Sequence, residues 1–145
     1  MAYSGRFTPK SPNKYKGDPT NIIWRSTWEL RFLKYLDTNP AILEYGSEEI
    51  VVPYISPLDG KAHRYYVDFH FIVRTKEGIN KKYLVEVKPY AQTIEPKRPK
   101  KITESYVSSL HTYLVNQAKW KYAKEFAKKV GMEFLVLTEK ELFNK

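Results

Sequence analysis

Apolar residues along this chain repeat with two different periods, and the change from one to the other predicts most of its elements. In "WRSTWELRFLKYLD" the positions Trp28, Phe32, Leu33 and Leu36 recur at helical spacing. Ser26 followed by Glu29 fits a capping box that starts the helix near the serine, and Asn39-Pro40 stops it. The segment "ILEYGSEEIVVPY" becomes β-branched toward its end and predicts a first strand finishing near Pro53-Tyr54. "SPLDGKA" is turn chemistry. A strand is expected from about Tyr65 to Arg74, a hairpin loop at "KEGIN", and a returning strand from Tyr83 to Lys88, ended by Pro89. Further on, Tyr106, Leu110, Tyr113 and Leu114 share a helical face behind a Thr103 cap. Asn116 then caps a second helix, with Trp120, Ala123, Ala127 and Val130 inward and Gly131 at its end. "MEFLVLT" reads as a short buried strand and "TEKEL" as a final capped helix.

The order is therefore helix, three strands, one or two helices, strand, helix. A helical connection between the third and last strands permits a parallel crossover, so an α/β fold with a mixed central sheet flanked by helices is expected. Residues 1–21 show neither period; with three prolines, two glycines and scattered basic residues they read as an extended basic arm, either solvated or ordered on a partner. Residues 22–145 form the domain proper.

Composition narrows the function. The 145 residues suffice for one domain, and 42% hydrophobic with 15% aromatic residues supplies a core. Absence of cysteine excludes disulfides, thiolate metal sites and a cysteine nucleophile. No apolar run approaches the ~20 residues of a membrane span, and the start lacks the apolar core of a secretory signal, so a soluble protein acting inside a cell is expected. A net charge of +9 favours a polyanionic partner, nucleic acid first.

Against this background the charges inside "RYYVDFHFIV" and "KYLVEVKPY" stand out. With period two, Val67, Phe69 and Phe71 oppose Asp68 and His70, while Val85 and Val87 oppose Glu86 and Lys88. Paired strands then gather Asp68, Glu86 and Lys88 on one side of the sheet. Carboxylates so placed repel, and a divalent cation or a shared proton relieves them. With no cysteine and three histidines, a hard cation such as Mg²⁺ suits them best. The competing reading is the wet face of a half-exposed sheet with a cross-strand ion pair. Glu29 lies on the apolar stripe of its helix, where it either faces the site or bonds back to the Ser26 amide.

A helix with an inward Glu, a strand with Asp, a hairpin, a strand reading Glu-Val-Lys, and helices before a last strand resemble the restriction-endonuclease-like PD-(D/E)XK nucleases from about residue 22 to residue 138. Val67 stands where the motif has proline. More specifically, "MAYSGRF", "KYKGDP", "RSTWE", "YYVDFHF", "VEVKP" and "NQAKWKYA" resemble the head completion nucleases of T-even-type tailed phages over nearly the whole chain.

These resemblances imply an αβββαβ core and a metal-dependent deoxyribonuclease, endo- and exonucleolytic action both being open, that trims packaged double-stranded DNA so that the tail can join. Mg²⁺, with Mn²⁺ as a substitute, would be held by Asp68, Glu86 and the Val87 carbonyl. Lys88 would orient the attacking water or stabilise the phosphorane. Glu29 would hold the metal through a water or place a second ion, and His70 receives no role beyond a surface or outer position. Phosphates would be gripped by Lys97, Arg98, Lys100 and Lys101 in the loop, with Lys119 and Lys121 at the next helix start. Portal or neck proteins are the implied partners, and the host cytoplasm during assembly the implied location. A non-catalytic DNA-binding neck protein and a transposase-type or repair endonuclease are the alternatives.

Overall fold

A computed structural model describes residues 4–143. Its central sheet has four strands in the order β3-β6-β7-β8, numbered along the chain: β3 (Ile42–Ser47), β6 (Phe69–Arg74), β7 (Asn80–Val87) and β8 (Glu133–Leu137). The first three run antiparallel and β8 lies parallel to β7, as the helical crossover between them requires. Helix α1 (Thr27–Thr38) covers one face with Phe32, Leu33 and Leu36, against Phe69, Phe71, Val85 and Val87. Helix α2 (Glu104–Lys129) covers the other, where Ala123 and Ala127 meet Leu84 and Val67.

The helix signals read from the sequence are realised at both ends of the chain. Ser26 Oγ accepts the Glu29 amide at 3.2 Å and starts α1, and Asn39 closes it. Thr138 and Glu141 complete a reciprocal capping box on α3 (Glu139–Leu142). Gly131, at φ +74°, takes the left-handed conformation that ends α2.

Four expectations are corrected. The stretch Tyr65–Arg74 is not one strand: β5 (Ala62–Tyr66) pairs with β4 (Val51–Ile55), and the chain changes sheets at Val67 and Asp68 before β6. Tertiary bonds make the break, since the Val67 amide donates to the Ile50 carbonyl and the Glu48 amide to the Asp68 carbonyl, both near 3 Å. In consequence Val67 packs on the α2 side and Phe69 on the α1 side, rather than together. Likewise the single first strand is two, β3 and β4, separated at Glu48 with φ +55°.

The helices predicted on either side of Asn116 are one 26-residue helix, with Asn116 buried in its interior. Nothing between Thr103 and Lys129 breaks a helix, so a residue able to cap stays inside it. Lastly, the arm is folded onto the domain. β1 (Gly5–Phe7) pairs with β2 (Ile22–Trp24), Phe7 and Tyr15 are buried, and Tyr15 bridges to Tyr45. Met1 to Tyr3 lie outside the described residues.

Candidate active site

Strand β7 carries two messages. Val85 and Val87 face the α1 side, while Leu84 and Glu86 face α2, so the glutamate is driven inside by the same alternation that buries its neighbours. Register pairs Phe69 with Val85, which sets Asp68 opposite Glu86 at the end of the hairpin. Because the chain leaves the sheet there, Asp68 is free to turn its carboxylate onto β7, where the Val87 amide donates to Oδ2 at 2.9 Å.

The electrostatics follow from this crowding. Burial, and then the neighbouring Glu86 carboxylate, push the Asp68 carboxyl well above the usual range; Glu29 adds to the rise, and the Val87 amide and Lys88 offset part of it. Glu29 is also raised, first by burial and further by Glu48 and Glu86. Its side chain accepts from the Arg25 amide at 3.3 Å rather than from Ser26, so the capping box is half formed and Glu29 stays in the electrostatic reach of the acid pair. Lys88 Nζ stands 3.7 Å from Glu86 Oε2, beyond hydrogen-bond length. Glu86 Oε1 is buried without a well-formed hydrogen bond among the described residues, although the Tyr65 hydroxyl lies beside the Glu86 carboxylate.

A buried carboxylate oxygen without a hydrogen bond, beside a second acid whose charge is disfavoured by burial and by its neighbour, fits a hard divalent cation. Among the described residues no three His, Asp or Glu side chains close round one point. The side-chain donors number two, which leaves room for a backbone carbonyl, water and substrate oxygens.

Of the predicted phosphate-binding residues, Lys97, Arg98, Lys100 and Lys101 are exposed in the loop between β7 and α2. Lys119 and Lys121 lie mid-helix, not at a helix start, because α2 is continuous. They also part company: two residues apart on a helix, they point in nearly opposite directions. Lys119 is half-buried over the Tyr54 and Tyr65 rings, 5.8 and 5.4 Å from their centroids, and burial lowers its pKa against the pull of Glu86. Lys121 is exposed on another side. His70 is buried against Gly46, where any Cβ would strike its ring, and burial lowers its pKa; it belongs to the core rather than the surface.

Sequence reading missed two contributors. Arg25 Nε and Nη2 bind Glu48 at 2.8 and 3.2 Å, neutralising an acid next to Glu29. Tyr65 places its hydroxyl in the buried space by Glu86 and Trp120. Neither has a local signal: Arg25 meets an acid 23 residues further on, and Tyr65 reaches the site through the sheet change at Asp68.

A mixed sheet between helices, with an acid at the hairpin's open end and Glu-x-Lys on the returning strand, defines a restriction-endonuclease-like nuclease domain. The comparisons agree: residues 39–139 match the family described as TnsA-like endonuclease N terminal, and the chain belongs to it. That stretch includes Asp68, Glu86 and Lys88 but not Glu29. The chain is also 39% identical over 143 residues, 96% of its own length and 93% of the relative's, to the Head completion nuclease of Enterobacteria phage T4.

Proposed function

We propose that this protein is a divalent-cation-dependent deoxyribonuclease of phage head completion, trimming packaged DNA in the host cytoplasm so that the tail can join. The nuclease reading rests on one observation above the rest: buried Glu86 and half-buried Asp68 converge with a loosely held lysine, and one Glu86 oxygen has no hydrogen bond among the described residues. The assembly role is supported by a relative that carries that name along almost the whole chain.

Asp68 and Glu86 would hold the cation, with the Val87 carbonyl completing the protein's share. Mg²⁺ is the natural occupant of such an oxygen set, with Mn²⁺ as a substitute. When bound, the ion neutralises charge on the phosphoryl group and makes a water acidic at neutral pH. The remaining steps belong to side chains. Lys88, unconstrained at 3.7 Å from its acid, reaches toward a phosphate oxygen or the attacking water and balances charge there. Glu29, its pKa raised, sits where it can hold a water of the site in place or accept its proton. Lys119 adds a second, partly desolvated ammonium behind the acids. A neck protein that had lost catalysis would be more stable with these acids replaced, so their presence argues against a purely structural role.

The test is plasmid cleavage in Mg²⁺ and in EDTA, by the wild type, Asp68→Ala and Glu86→Ala. Nicking that needs the metal and vanishes in both variants is expected; equal cutting by the variants would remove the site from these residues. Tailless heads accumulating when Glu86→Ala replaces the wild type during infection is the expected sign of the assembly role.

A further inference from the structure

Beside Lys88 a groove of about 800 Å³ runs along the first half of α2, facing Leu58 at the tip of the β4–β5 hairpin. Its composition is divided. Leu58, Ile102, Val107 and Val115 give it apolar walls, three of them with substantial exposure. At the catalytic end are two ammoniums, Lys88 and Lys119, and the basic residues 97–101 lead in at the other, against a single lining carboxylate, Glu104. Between them lies Asn116, 4% exposed, whose Nδ2 has no hydrogen-bond partner among the described residues. Leaving a buried amide donor unmet is costly, so an acceptor is expected to reach it.

We propose that this groove receives an unpaired single-stranded end of the DNA substrate, making the protein select DNA with a protruding strand over blunt duplex. The inference rests on the nuclease reading above and adds the form of its substrate. Cationic groups at both ends match a backbone that tracks the groove. The apolar walls choose the strandedness. A duplex presents phosphates and sugars outward and keeps its base faces stacked inside, so it cannot cover aliphatic side chains. An unpaired strand turns base faces to them, and His111, which also lines the groove, offers one more flat surface. The volume is that of a small-ligand site, enough for a few splayed groups and too small for a double helix. Asn116 can then donate to a base acceptor or a phosphate oxygen. With Lys88 shared between groove and acid pair, the strand held there leads straight to the scissile bond.

The test compares two fluorescein-labelled duplexes of one sequence, one blunt and one with a short single-stranded tail. Affinity is read by anisotropy in EDTA, and cleavage separately in Mg²⁺. Tighter binding of the tailed duplex by about tenfold is expected, the scale of one or two stacked bases. Val107→Glu should abolish that preference while leaving blunt-duplex affinity within about twofold, since a rim charge changes little at distant phosphates. Ile102→Glu, on the loop before α2, is the second variant and does not burden the helix. Lys124→Glu, exposed on α2 outside the groove, should keep the preference. Equal affinity of the wild type for the two duplexes overturns the proposal and leaves the groove to a protein segment or to nothing; so does equal weakening of both by Val107→Glu and Ile102→Glu. Failure of the nuclease reading looks different: no metal-dependent cleavage of either duplex.

Discussion

Among the described residues two acids, Asp37 and Glu86, are almost completely buried, and the chain treats them in opposite ways. Asp37, at the end of α1, accepts the Lys10 amide at 2.8 Å, the Ser11 amide at 3.2 Å and the Tyr45 hydroxyl at 3.0 Å. Glu86 has one oxygen with no well-formed hydrogen bond among the described residues and the other 3.7 Å from an ammonium, while Asp68 beside it receives one backbone amide. Desolvating a carboxylate is tolerable when its lone pairs are met by protein donors, and Asp37 shows that this fold can meet them. Where it does not, and sets a second acid beside the first, a partner from outside is the remedy proposed above. Asp37 holds the N-terminal segment to the domain; Asp68 and Glu86 are the pair proposed to take a cation.

The sharpest way to break this comparison is to truncate both kinds of acid. Glu86→Ala should lower cleavage at least about 10³-fold, the loss of several kcal/mol of transition-state stabilisation, while thermal unfolding stays at or above the wild-type temperature. Asp37→Ala should do the reverse, destabilising the fold by about 2–4 kcal/mol because buried donors lose their acceptor, with cleavage per folded molecule unchanged. Calorimetry and plasmid nicking on both variants separate the two; a stability loss in Glu86→Ala as large as that in Asp37→Ala would erase the distinction.

A smaller effect sharpens it. Asp68→Asn relieves repulsion in the cation-free protein, so its melting temperature should rise above that of the wild type. Adding Mg²⁺ should then raise the wild type's melting temperature and leave Asp68→Asn unmoved.

His70 supplies a pH control away from the acids. Its folded pKa is lowered by burial, so between the unfolded value, about 6.5, and the lower folded value the unfolded chain binds more protons. Stability from this group is present above that unfolded pKa and is lost as the pH falls through the window. His70→Gln should flatten this part of the stability profile in urea titrations; an unchanged profile would mean that another group governs it. The smallest effect is expected from the loop, where charge reversal at Lys100 and Lys101 should weaken DNA binding and reduce its salt slope by about one to two. An unaltered slope would take the loop out of the interface.

Local patterns made much of the site legible. Alternation in "YLVEVKP" is enough to put Glu86 on the opposite face from Val85 and Val87, and the "KEGIN" turn brings β6 back against β7. The caps at Ser26 and Thr138 were readable because a cap is a contact between near neighbours in sequence. Asp68 was found for an incomplete reason. Period two continues through Tyr65–Arg74 without a visible fault, so the change of sheet, which frees its carboxylate to meet Val87, left no local trace.

The same limit explains the rest. Lys119 was selected with Lys121 for a helix start that the continuous α2 does not have, and the approach of Tyr54 and Tyr65 from the β4–β5 hairpin distinguishes it from Lys121. Asp37 gave no signal, since Lys10 and Ser11 reach it through folding of a segment with no periodicity of its own and Tyr45 reaches it from β3. By itself, the order of residues determined the caps that start the helices, the hairpin, the parallel last strand and which acids share a side, because those depend on backbone periods and near-neighbour bonds. Tertiary structure alone decided where the sheet is broken, which buried acid is satisfied and which is left wanting, because desolvation and hydrogen-bond completion are properties of what distant segments bring to a point.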